Sequence, residues 1–79
     1  MLLKISKKLI ENLNKLGLEN GDDFLLVVKE LRNLLVLEIG ENIYKIFEDL
    51  GYYSIEASDS DLASFETLEE LSEFISDLI

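Results

Sequence analysis

The sequence predicts a small, mainly α-helical fold: a four-helix bundle with a short third helix. Three observations carry this reading. Apolar residues recur at three- and four-residue steps near both ends of the chain. The stretch 24–39 is apolar almost all round, as a buried helix would be. Glycines at 17, 40 and 51 punctuate the segments. An α/β alternative stays open, with a small sheet from 24–29, 34–39 and 52–57. With 79 residues, the chain is expected to form one domain, 1–79, that buries only about 60% of its unfolded surface.

The first helix is expected over Leu3–Leu16, with Ile5, Leu9, Leu13 and Leu16 on its inner stripe and lysines outside. Gly17 takes the place of a C′ glycine. Leu18–Asp23 reads as a loop, with Asn20-Gly21 as a turn dipeptide and Asp22 or Asp23 available to cap the next helix. For 24–39 the two readings compete. Val27, Val28, Val36 and Ile39 favour strands, with a turn at Leu31-Arg32-Asn33. The lack of an Asp-Gly or similar turn favours one buried helix, which is the preferred reading. Glu41–Leu50 then reads as a short amphipathic helix with Ile43, Ile46, Phe47 and Leu50 inward. Leu62 and Phe65 suggest a single helical turn. Thr67-Leu68-Glu69-Glu70 is a capping box that opens a last helix with Leu68, Leu71, Phe74, Ile75 and Leu78 on one side.

Composition limits the chemistry. The chain contains no cysteine and no histidine. Disulfides, thiolate nucleophiles, Ser-His-Asp constellations and the commonest zinc ligands are therefore out of reach. The chain reads as a non-enzyme. No apolar stretch is long enough to span a membrane. No leader-like pattern opens the chain, so a cytoplasmic location is the expectation.

Charge is uneven. Seven Lys and Arg stand against seventeen Asp and Glu, for a net −10. Every base lies at or before Lys45, and ten acids follow it. Such a surface repels phosphate backbones and anionic lipid, so neither direct nucleic-acid binding nor a membrane is expected. It suits a basic protein surface instead. Asp59, Asp61 and Glu70 match part of an EF-hand spacing, but Ala63 and Ser64 occupy the positions of a ligand and the turn glycine. These acids read as caps and solvated charge, and no metal or cofactor is expected. Tyr44, Tyr52 and Tyr53 read as packing residues. A mononucleotide-binding βαβ unit around Gly40 lacks the further glycines that it needs.

Ile55-Glu56, Asp59-x-Asp61-Leu62, Phe65-x-Thr67-Leu68 and Phe74-Ile75 occur in the order found in the last third of acyl carrier proteins. Lys7-Lys8-Leu9-Ile10 and Leu16-Gly17-Leu18-Glu19 resemble that family's first helix and its exit. The resemblance covers about half of the chain and implies an acyl-carrier-like four-helix bundle. In the preferred register the phosphopantetheine serine would fall at 37–39, where the sequence reads Leu-Glu-Ile. A second register, Glu48-Asp49-Leu50-Gly51-Tyr52-Tyr53-Ser54-Ile55-Glu56, would put the phosphopantetheine arm on Ser54.

The leading expectation is a non-enzymatic interaction module. It would bind a basic partner through Glu56, Asp59, Asp61, Glu66, Glu69, Glu70 and Glu73. The alternatives are a carrier loaded on Ser54 and an acidic inhibitor, of the immunity or anti-restriction kind, that presents carboxylates where phosphates would sit.

Overall fold

The computed structural model describes residues 2–58 and 60–79. Two helices, α1 (Leu2–Lys15) and α2 (Leu68–Leu78), bracket five strands. These are β1 (Leu25–Lys29), β2 (Leu34–Ile39), β3 (Asn42–Asp49), β4 (Tyr52–Ala57) and β5 (Ser60–Phe65). Each strand pairs antiparallel with the next, giving one meander in the order β1-β2-β3-β4-β5. Both helices pack on the same face of this sheet and against each other.

The four-helix bundle is therefore overturned, and with it the resemblance to acyl carrier proteins. The α/β alternative fits the observed strands: 24–29, 34–39 and 52–57 are β1, β2 and β4 to within a residue. Residues 24–39 are strands because a hairpin turn does exist between them. It needs no Asp-Gly, since a 3-10 turn over Glu30–Arg32 ends in Asn33 at φ 54°, whose amide donates to the Glu30 carbonyl at 3.1 Å. Asparagine tolerates this left-handed backbone better than other non-glycine residues. Glu41–Leu50 is β3 rather than a helix. Tyr44 and Ile46 point into the core, while Ile43 and Phe47 alternate to the other face, so 43, 46, 47 and 50 only mimicked helical spacing. The single helical turn expected at Leu62 and Phe65 is instead β5, an edge strand whose pairing shifts register beside Ile55 and Glu56.

The core follows the pleat. Val28, Leu35, Ile46, Ile55 and Ala63 run across the sheet as one row of facing pairs, and Leu26, Leu37, Tyr44 and Ala57 form the next. Leu9 and Leu13 of α1 and Leu71 and Ile75 of α2 close over these rows. Ser6 and Ser72 are buried polar residues on the helices. Each satisfies its hydroxyl on its own helix, to the Leu3 carbonyl at 2.8 Å and the Leu68 carbonyl at 2.6 Å.

The helix ends match the sequence reading. Gly17 adopts φ 88°, and the Leu18 amide returns to the Leu13 carbonyl at 3.0 Å, a Schellman-type closure of α1. Asp23 caps no helix. Its carboxylate accepts from the Glu19 amide at 2.8 Å and so holds the α1–β1 loop.

Leu50 and Gly51 form the two-residue turn between Asp49 and Tyr52. Both have positive φ, 51° and 86°, the pattern of a type I′ turn. Leucine is costly in this conformation, by roughly 1–2 kcal/mol, and its side chain is 91% exposed, so it recovers little by packing. Leu50→Asn is expected to raise stability by about 1 kcal/mol. A thermal melt should show this as a gain of roughly 4–8 °C. Ile46→Ala should cost about 2–5 kcal/mol, because it opens a cavity at the centre of the sheet. Denaturant unfolding of the two variants checks both signs.

Candidate functional site

α2 gathers the acids that the sequence singled out. Leu68, Leu71, Ser72 and Ile75 are its buried side. At 100° per residue, Glu69, Glu73, Asp77 and Glu70 then fall within an arc of about 100° on the opposite side. All four are exposed. From Glu69 to Asp77 the stripe runs about 12 Å along the axis, at 1.5 Å per residue. Glu66, also exposed, precedes the cap and lengthens the charged surface. Asp77 was not among the expected partner-binding residues. Its position four residues after Glu73, on a helix with no base in its last turn, is the signal that could have found it.

The capping box forms with one change. The Thr67 hydroxyl accepts from the Glu70 amide at 3.2 Å. The Glu70 carboxylate lies 3.1 Å from that hydroxyl and accepts its proton, where the box pattern would send it to the Thr67 amide. Glu69 and Glu70 in the first turn also complement the helix dipole, so acid placement and helix stability agree here.

The other expected acids do not join this stripe. Glu56 lies opposite Lys45 on one side and Asp61 on the other. Ile55 and Ala57 pack into the core beneath the helices, so Glu56 and Asp61 belong to the opposite, uncovered face of the sheet. Asp59 lies outside the described residues. The predicted acidic surface is thus two surfaces separated by the thickness of the sheet.

Ser54 sits in the middle of β4, half-buried, opposite Phe47 and Ser64. It is not at the start of a helix, as the carrier register requires. The phosphopantetheine reading falls with the helical bundle from which it came.

The bases also separate. Lys4, Lys7, Lys8 and Lys15 lie exposed on α1, beside the acidic helix. Lys4 and Lys8 share a shallow hollow with Glu48 and Tyr53. The remaining three, Lys29, Arg32 and Lys45, line a second hollow over Leu34 and Val36 on the uncovered sheet face. A wider, half-open hollow of about 390 Å³ lies at the β3–β4 end, between Glu41, Tyr44, Lys45 and Glu56. Among the described residues, no group of three or more Asp or Glu is placed to hold a metal ion. None of the helices among them is long and apolar enough to cross a membrane.

Comparison with protein-family models, curated proteins and solved structures finds no match to this chain. The acidic side of α2 is therefore weighed on its own chemistry.

The Thr67 cap holds the first turn of the helix that carries the stripe. Thr67→Ala is expected to cost about 1 kcal/mol. Exchange protection of the amides at 69–71 should fall more than that of the β2 and β3 amides. Uniform loss of protection across the chain would contradict a local role.

Proposed function

We propose that this protein is a non-enzymatic interaction module that binds a basic protein surface through the acidic side of α2. The observation that supports it most directly is the outward arc of Glu69, Glu70, Glu73 and Asp77, continued by Glu66, in a segment of chain without a single Lys or Arg. Like charges on one short helix repel one another and weaken it. A surface that keeps them on one side gains from a partner that supplies the missing cations. Binding of this kind owes its speed and specificity to charge: opposite potentials steer the encounter, and salt screens them.

A second reading draws support from the same stripe. Carboxylates at i and i+4 are about 6 Å apart along a helix axis. Such a row can occupy a groove shaped for a phosphate backbone, which is how an acidic inhibitor of a nucleic-acid enzyme would act. The two readings differ in the partner alone. In the second, nucleic acid and this protein compete for one site.

The test starts from a partner captured with the intact protein from its own cells. Its association rate should fall steeply as salt rises. The triple variant Glu69→Gln, Glu73→Gln, Asp77→Asn leaves the Glu70 cap in place and should slow association by about tenfold or more at low salt. A rate unaffected by both salt and the triple variant would remove α2 from the interface. Displacement of the captured partner by an oligonucleotide selects the inhibitor reading.

A further inference from the structure

An open sheet has two edges, and each edge strand offers unpaired N–H and C=O groups to any extended chain. Here the edges are β1 and β5. β5 is blunted by its own irregularity. Ile55 pairs with Ala63 and Glu56 with Asp61, so Leu62 is an extra residue that bends the strand, and Asp61 adds a charge. β1 has no such bulge: its register against β2 is unbroken from Leu25 to Lys29. It has no proline either, and Phe24-Leu25-Leu26-Val27-Val28 carries no charge before Lys29. A regular, apolar, uncharged edge is the kind that pairs with copies of itself.

The 19–23 loop lies along that edge. The Leu26 N–H turns away from β2 and donates to the Asn20 carboxamide oxygen at 3.1 Å. The Phe24 C=O accepts from the Gly21 N–H at 2.6 Å, and Asn20 and Phe24 form a parallel bridge. Backbone groups along a strand point to alternate sides, so the outward row runs through Phe24, Leu26 and Val28. The loop takes the place of a neighbouring strand over the first part of this row. Among the described residues, no hydrogen bond reaches the outward groups of Val28. The loop is itself held at Glu19. The Glu19 amide donates to the Asp23 carboxylate at 2.8 Å, and the Glu19 carbonyl accepts from the Asp22 and Asp23 amides at 3.2 and 2.9 Å. Gly21 turns the chain at φ 100°, where a side chain would meet nothing within 4 Å yet would strain the backbone.

We propose that the 19–23 loop is an edge guard: Asn20 and Gly21 occupy the outer edge of β1 and so prevent two copies of this chain from pairing β1 to β1. The contact that the loop blocks is a two-fold one, in which the same strand of each copy pairs antiparallel with the other and the two sheets become one. Its first requirement is a free N–H on Leu26 and a free C=O on Phe24, and these are the two groups that the loop holds. Its second is an apolar strand that does not repel itself, which Phe24–Val28 supplies. Opening the loop uncovers the edge, and closing it returns the chain to a single copy. The inference does not rest on the acidic side of α2.

The experiment is sedimentation equilibrium of the full chain, with amide hydrogen exchange read residue by residue. The wild type should be a monomer in which the Leu26 amide exchanges slowly and the Val28 amide quickly. Asn20→Ala removes the acceptor of the Leu26 N–H, and Gly21→Val strains the turn without a clash. Each should self-associate at least about tenfold more tightly than the wild type, and in each the Val28 amide should gain protection as concentration rises. Leu25 is 43% exposed, so Leu25→Lys places a charge on the edge without entering the core. Added to either guard variant, it should restore the monomer. Ile46→Ala, which lowers stability away from the edge, should stay monomeric while circular dichroism shows it folded, and this separates an uncovered edge from mere loss of stability. A wild type already paired through β1, a Val28 amide protected in the monomer, guard variants that stay folded and monomeric, association that survives Leu25→Lys, or equal association by Ile46→Ala would each overturn the proposal. The α2 triple variant should remain monomeric whatever happens to its partner, so failure of the proposed function and failure of the guard are read separately.

Discussion

The whole molecule hangs on one seal: the row of Leu35, Ile46 and Ile55 held dry by Leu9 and Leu13 from one end of the chain and Leu71 and Ile75 from the other. A meander of neighbouring strands makes only local pairings, and the apolar rows on one face of this sheet are buried only because something packs over them. Cover comes from α1 and α2, the first and last elements, which must find each other across the full length of the sequence. Their mutual contact is the long-range step in an otherwise local topology. It carries the loop-closure cost that the hairpins avoid. A cavity at Ile46 therefore loosens the point where sheet and both helices meet, not one strand alone.

The same geometry explains which parts of the fold could be read in advance. A helix with one wet side keeps its 3.6-residue period visible, so α1 and α2 stood out at Leu9, Leu13, Leu71 and Ile75, together with the Gly17 exit and the Thr67 cap. A strand shows its period of two only when one of its faces is polar. β2 reads Leu34, Leu35, Val36, Leu37 without alternation, because the odd residues feed the main core and the even ones the uncovered apolar face. Lacking that contrast, helix and strand were separable only by turn chemistry. The turns carry uncommon residues, Asn33 at the end of a 3-10 turn and Leu50 in a position suited to asparagine. The order of short motifs that resembled acyl carrier proteins was spread by the fold over β4, β5 and α2. Matching short motifs in order constrains the chain's sequence, not its hydrogen bonding.

For the acidic residues, the sequence supplied the cluster but not its division. Glu69, Glu70 and Glu73 share a side because helical residues at three- and four-residue steps do so. Glu56 and Asp61 are near them in sequence yet point the other way, because side-chain direction in β4 is fixed by Ile55 and Ala57 going into the core. That outcome is legible only once 52–57 is known to be a strand, whose alternation turns residue 56 away from Ile55 and Ala57. The basic hollow was invisible for a similar reason: Lys29, Arg32 and Lys45 come from three elements, and only the β1–β2–β3 register brings them around Leu34 and Val36.

These constraints also account for the existence of two unlike surfaces on so small a body. Two helices, each about 10 Å across, cover a five-stranded sheet about 24 Å wide at a strand spacing near 4.8 Å. Among the described residues no third α-helix covers the other side. The uncovered face of the sheet is mixed: Val27, Val36, Ile43 and Phe47 share it with Lys29, Lys45, Ser54, Glu56, Asp61 and Ser64. The helical layer, fully solvated outside, is left to carry dense charge of one sign on α2. One layer of helix thus leaves α2 with acids on its outer side and the sheet with a mixed polar and apolar face on the other.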